Sequence, residues 1–207
     1  MLPTSEHFLL EDSPTATVLR LQSSDGTNRL TQACVRSLAD SIEVLSQISK
    51  PLILTGNPKF FSAGADLSEI ADLTGPAAFE FAKRGQRLMN AIERFPAPVY
   101  AAIEGYCMGG GLDLALACYR RIASLHAVFG HRGAAVGLIT GWGGTQRLPR
   151  LIGKSRALAM LVAAEKLHAK DALKLGLVDA VTDDPVGEAR RRIQASSSFN
   201  PRTNARS

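Results

Sequence analysis

Short apolar runs alternate along this chain with stretches of helical periodicity, and that alternation narrows the fold more than any other feature. "ATVLRLQ" alternates as a strand does, "SDGTN" is a turn, and from 31 to 48 the residues Val35, Leu38, Ile42 and Leu45 fall on one helical face. "PLILTG" is a second short strand, followed after a small-residue bend by a helix around 77 to 95 with Phe81, Leu88, Ile92 and Phe95 on one face. "APVYAAI" is a third strand, a glycine run then opens a short apolar helix, and "RRIAS" is a further strand. Strands separated by helices are joined by right-handed crossovers and lie largely parallel. The expectation is an α/β domain.

Length and composition set the scale. The 207 residues, 45% hydrophobic and 21% charged, suit a single domain with a substantial core. The N-terminus carries acidic residues and does not read as a secretory signal, and no apolar stretch is long enough for a membrane span. Cys34, Cys107 and Cys118 have neither metal-ligand spacing nor an obvious pairing, so they read as small core residues in a reducing, cytoplasmic protein. The net charge of +5 is scattered until "EARRRIQ", with few aromatic residues to stack on bases; a solvated surface, equally able to meet a small polyanion, is expected rather than a nucleic-acid site. The polar, proline-interrupted ending "SSSFNPRTNARS" reads as a loose tail.

Two turns carry the chemistry. "FSAGADLSEI" (61–70) and "GYCMGGGLDLALAC" (105–118) each follow an apolar run, and ligands of open α/β sheets bind beyond the carboxyl ends of strands. Small residues let backbone N–H groups face a ligand directly, and a helix start adds its positive end. Two such turns facing one point make a two-donor oxyanion hole, with the N–H groups of Ala65 and Gly110 as donors. Tight strand-to-helix packing is the plainer account of either turn alone. A phosphate-binding loop is excluded, because "GGGLDLA" lacks the Lys-Ser/Thr pair.

These segments resemble the enoyl-CoA hydratase/isomerase, or crotonase, superfamily. "FFSAGADLSEI" is similar to its first oxyanion segment and "AAIEGYCMGGGLDLALAC" to its second; "GWGGTQRLPRLIGKSRALAMLV" and "AKDALKLGLVDAV" follow in the expected order, over roughly residues 16 to 182. The resemblance implies a crotonase (ClpP-like) fold of repeated ββα units, with a core domain over 1–182 and a shortened, partly helical or disordered C-terminal extension over 183–207. It implies an acyl-CoA substrate, coenzyme A being its carrier rather than a permanent cofactor, no metal, and a homo-oligomer, trimer or hexamer. It also implies that Ala63, Asp66, Leu67 and Arg29 border the adenine side of coenzyme A.

The carboxylates depart from the family pattern. Hydratases of the family hold a water between two glutamates; the first position here is Asp113 and the second is Gly133, which has no side chain. The reading adopted is that Asp113 is the acid/base, placed about 1 Å back by its shorter stem, although an acidic residue in a helix's first turn also serves the dipole. His131 and Arg132 flank Gly133. A histidine there is able to transfer a proton; the reading preferred is that both are surface or substrate-phosphate contacts, grouped with Gly133 as substrate-binding. Losing carbon dioxide from a malonyl-type thioester needs chiefly the oxyanion hole, so a decarboxylase, with Arg132 holding the departing carboxylate, is an alternative. A non-catalytic acyl-CoA binder is another. A serine peptidase lacks its nucleophile, since Leu112 and Asp113 follow the glycine run. Asp66 is read as a turn anchor and Trp142 as packing.

Overall fold

The computed structural model describes residues 2–198. In chain order the strands are β1 (Phe8–Asp12), β2 (Thr17–Leu21), β3 (Arg29–Leu30), β4 (Leu52–Thr55), β5 (Phe60–Ser62), β6 (Gly64–Ala65), β7 (Val99–Ile103), β8 (Tyr106–Met108), β9 (Arg120–Ala123), β10 (Val128–Gly130), β11 (Lys166–His168) and β12 (Ala180–Val181). The α-helices are α1 (Gln32–Ser46), α2 (Leu67–Ala71), α3 (Gly75–Glu93), α4 (Gly110–Ala117), α5 (Gly144–Ile152), α6 (Lys154–Val162), α7 (Ala169–Lys174) and α8 (Pro185–Ser198), with a 3-10 turn over Gly133–Val136.

A six-stranded sheet runs β1-β2-β4-β7-β9-β12 and a four-stranded one runs β11-β10-β8-β5, while β3 and β6 pair separately. Only the outer strands β1 and β11 pair antiparallel; β2, β4, β7, β9 and β12 are parallel neighbours. The chain therefore advances by repeating one unit: a strand in the large sheet, a strand in a smaller sheet, then a helix, as in β4-β5-α3, β7-β8-α4 and β9-β10-α5. This is the ββα repeat of the crotonase fold.

Alternation along the large sheet divides its side chains between two faces. Leu19, Leu21, Leu52, Leu54, Val99, Ala101 and Ile103 join α1, α3 and α4 in the main core, which reaches Phe61, Cys107 and Phe129 of the small sheet. Val18, Ile53, Tyr100, Ala102 and Ile122 point the other way, where Ala189 and Ile193 of α8 cover them. Each such fully buried large side chain contributes on the order of 2 kcal/mol. Helix α1 starts where Thr31 caps it, its hydroxyl accepting from the Cys34 N–H at 3.1 Å, and it buries Val35, Leu38, Ile42 and Leu45. In α3, Leu88 and Ile92 are buried and Phe81 packs against the same core, as does Phe95 two residues beyond the helix. The tail beyond 198 lies outside the described residues.

One expectation is corrected. The bend at 61–70 does not follow the "PLILTG" strand directly: β5 intervenes, as β8 does between "APVYAAI" and the glycine run. Both turns leave the small sheet, not the large one. The end of the bend is itself the short helix α2, which precedes α3.

Candidate active site

Strands β5 and β8 lie side by side, parallel, with Ser62 opposite Cys107, so the turns that follow them are neighbours. The first is fixed by Ser62, whose hydroxyl donates to the Asn28 carbonyl at 2.7 Å and accepts from the Gly64 N–H at 3.1 Å. The second depends on Gly109, whose φ of +52° in the left-handed region reverses the chain into α4. Its N–H donates to the Gly130 carbonyl at 2.8 Å.

The two turns approach so closely that side chains are excluded. A Cβ placed on Gly64 would stand 3.0 Å from the Gly110 nitrogen, and one on Gly110 would stand 3.4 Å from the Ala65 nitrogen and 2.5 Å from Trp142 Cζ3. Gly110 is the first residue of α4, so its N–H has no acceptor within the helix. Trp142, 3% exposed and stacked at a tilt on Phe81 with centroids 5.2 Å apart, backs the turn. It packs, as expected, and it also forms part of the wall of the cavity above.

That cavity has a volume of about 750 Å³. Ile70, Leu73, Phe81, Val136, Leu138 and Ile139 give it an apolar wall. Of the sequence candidates, Ala63, Ala65, Leu67, Gly110, Asp113, His131, Arg132 and Gly133 all line it. Arg29 and Asp66 do not. Arg29 is exposed and paired with Asp25 at 3.0 Å, and its strand runs beside Gly64. Asp66 caps α2, and the hydroxyl and N–H of Ser68 hold its carboxyl below the usual range.

Asp113 is the buried acid of the site, 2% exposed in the first turn of a helix whose every residue is buried. The Thr140 hydroxyl donates to its Oδ2. Its Oδ1 lies 3.1 Å from His131 Nε2. Neither atom has a directed hydrogen-bond partner, so proximity, not alignment, defines that contact. His131 is 4% exposed, so it is not a surface residue, yet it lines the cavity; Asp113, brought from another ββα unit, stands against it. Arg132 is exposed, as expected.

Gly133 is not a gap awaiting a carboxylate. It begins the 3-10 turn, its carbonyl accepts from the Leu138 N–H at 2.8 Å, and a Cβ on it would stand 2.7 Å from the Leu138 carbonyl oxygen. The sequence reading missed Thr140, whose only signal is a hydroxyl within the apolar and glycine run "GLITGWGG". Among the described residues no cluster of three or more His, Cys, Asp or Glu side chains is placed to hold a metal ion, and no helix is long and apolar enough to cross a membrane.

The enoyl-CoA hydratase/isomerase family model matches residues 12–200. The chain belongs to that family. It is 46% identical over 136 residues to a probable enoyl-CoA hydratase of Bacillus subtilis (strain 168), an alignment covering 65% of this chain and 53% of the relative; the chain thus spans about half the length of that relative. Among solved structures it is similar to DspI of Pseudomonas aeruginosa, with a TM-score of 0.89 and 36% identity over 95% of this chain and 82% of that one. It is also similar to the enoyl-CoA hydratase of Bacillus anthracis, with a TM-score of 0.86 and 33% identity over 95% and 78%.

Proposed function

We propose that this protein of the enoyl-CoA hydratase/isomerase family acts on acyl-CoA thioesters by stabilising a thioester enolate. The Ala65 and Gly110 N–H groups receive the thioester oxygen, and Asp113 serves the proton transfers of hydration or double-bond isomerisation. One observation carries the reading: two small-residue turns, with Gly64 and Gly110 packed too closely for side chains, meet at an apolar cavity that a buried carboxylate also lines. Donors preset at an enolate oxygen typically supply about 3 to 4 kcal/mol each. Arg29, Ala63, Asp66 and Leu67, at the rim beside the first turn, border the coenzyme A carrier in this reading, which requires no permanent cofactor.

The test is crotonyl-CoA in heavy water, following loss of the enoyl absorbance and deuterium entry by mass spectrometry, with Asp113→Asn alongside. Turnover lost in the variant is expected. A protein that binds no acyl-CoA at millimolar concentration refutes the proposal. A second reading, decarboxylation of a malonyl-type thioester, is favoured by the cavity-lining Arg132 beside the side-chain-free Gly133; carbon dioxide release from malonyl-CoA without crotonyl-CoA turnover selects it. Acyl-CoA binding with neither activity indicates a non-catalytic binder. The proposal includes a homo-oligomer, trimer or hexamer, checked by light scattering, and a cytoplasmic setting, supported by three buried, unpaired thiols.

A further inference from the structure

Asp113 and His131 are both nine-tenths or more buried, both line the cavity, and their Oδ1 and Nε2 atoms, 3.1 Å apart, have no directed hydrogen-bond partner. Gly144 packs directly against that meeting point, which only a residue without a side chain allows: a Cβ on it would collide with Asp113 Oδ1 and stand 2.9 Å from His131 Nε2. Gly144 is the first residue of α5, and Asp113 lies in the first turn of α4, so the positive ends of two helices face this carboxylate. Thr140 ties down its other oxygen. A carboxylate held this firmly is well suited to orient the imidazole beside it, a ring whose two nitrogens can take up a proton at one and donate one from the other.

We propose that His131 is a catalytic residue, the proton carrier of this site, and that Asp113 works through it as one unit. The inference rests on the acyl-CoA reading above. In hydration, an O–H bond of water breaks and its proton passes to the imidazole. The water oxygen bonds to C3, and the C2–C3 π pair moves into the enolate held by Ala65 and Gly110. The imidazolium N–H bond then breaks, its proton bonds to C2, the thioester carbonyl re-forms and the imidazole is neutral again. One proton is taken and one returned, so a single carrier suffices where Gly133 offers no second acid. Arg132 and Lys166 are the other charged groups lining the cavity.

His131→Gln tests this, because an amide still donates toward Asp113 yet carries no proton. The expected result is a loss of about 100-fold or more in kcat on crotonyl-CoA, with acyl-CoA affinity unchanged. His131→Ala should regain rate with added imidazole, and it serves if the Gln variant fails to fold. Asp113→Asn combined with His131→Gln should be no slower than the worse single variant, since members of one unit are strongly non-additive. An active wild type whose Gln variant keeps its kcat overturns the proton-carrier role alone, as do losses that multiply in the double variant. A wild type that binds acyl-CoA and turns none over overturns the functional reading, and the carrier role with it.

Discussion

Gly110→Ala separates packing from chemistry at the oxyanion turn. The added methyl would meet Trp142 Cζ3 at 2.5 Å and Cε3 at 2.7 Å, closer than carbon atoms tolerate, and the indole is pinned by burial and by Phe81. Overpacking of this kind costs about 1–3 kcal/mol, which for a chain of this length lowers Tm by about 2–12 °C. The same methyl would stand 3.4 Å from the Ala65 nitrogen, beside the two N–H groups proposed to receive the thioester oxygen, so kcat on crotonyl-CoA should fall about 100- to 1,000-fold. Shortening Trp142 to Phe withdraws the six-membered indole ring from the contact. In that background the thermal penalty of Gly110→Ala should shrink, a coupling typical of touching residues, while the kinetic penalty persists. Gly75→Ala is the control, because a Cβ there meets nothing within 4 Å. Scanning fluorimetry and initial rates on the wild type and the four variants decide the matter. A Gly110→Ala protein with unchanged Tm and kcat refutes both halves of the reasoning, and full kinetic rescue by Trp142→Phe refutes the oxyanion half.

Thr140→Val removes the hydroxyl that donates to Asp113 Oδ2 and leaves a buried carboxylate oxygen short of a partner; urea unfolding should register about 1–3 kcal/mol lost, and Thr140→Ser should recover most of it. Gly133→Glu should not install a second acid, because its Cβ meets the Leu138 carbonyl at 2.7 Å; lower stability and no gain in hydration rate are expected, and a faster enzyme would contradict this. Burial pushes the Cys34 and Cys118 thiols up to about 12 and that of Cys107 well above the ordinary thiol value, so a disulfide reagent at pH 8 should label the native protein negligibly and the urea-unfolded protein at three sites. By linkage, thiols whose folded values are raised stabilise the fold fully below their unfolded value near 9; that contribution drains away as pH climbs from 9 toward 12, which urea titrations across that range check.

The large sheet was legible because its strands are apolar enough to stand out: "PLILTG" became Leu52–Thr55 and "APVYAAI" became Val99–Ile103. The small sheet was not, because β5, β8 and β10 are three residues each, too short for alternation to register, and only the family resemblance supplied them. Strand β1 escaped notice for a different reason: it is an edge strand with Phe8 as its one buried residue. Within the site, the turns holding Ala65 and Gly110 announced themselves through residue size. The burial of His131 and the bond from Thr140 did not, since both depend on Asp113, which local sequence around them does not contain.

These departures have one physical logic. At Gly133 the backbone of Leu138 occupies the ground a longer side chain would need, and Asp113 is the one carboxylate among the described residues lining the cavity. A lone carboxylate buried to 2% exposure carries a desolvation cost of several kcal/mol unless its oxygens are engaged. Thr140 engages one and His131 stands against the other, while two helix ends offset its charge. The contacts that make Asp113 tolerable in the fold are therefore the contacts that fix its direction and, in the proposed mechanism, set a histidine beside the turns that receive the thioester oxygen. Stability and chemistry at this carboxylate share the same partners, so substitutions around it should move Tm and kcat together, whereas at Gly110 and Trp142 the two can be pulled apart.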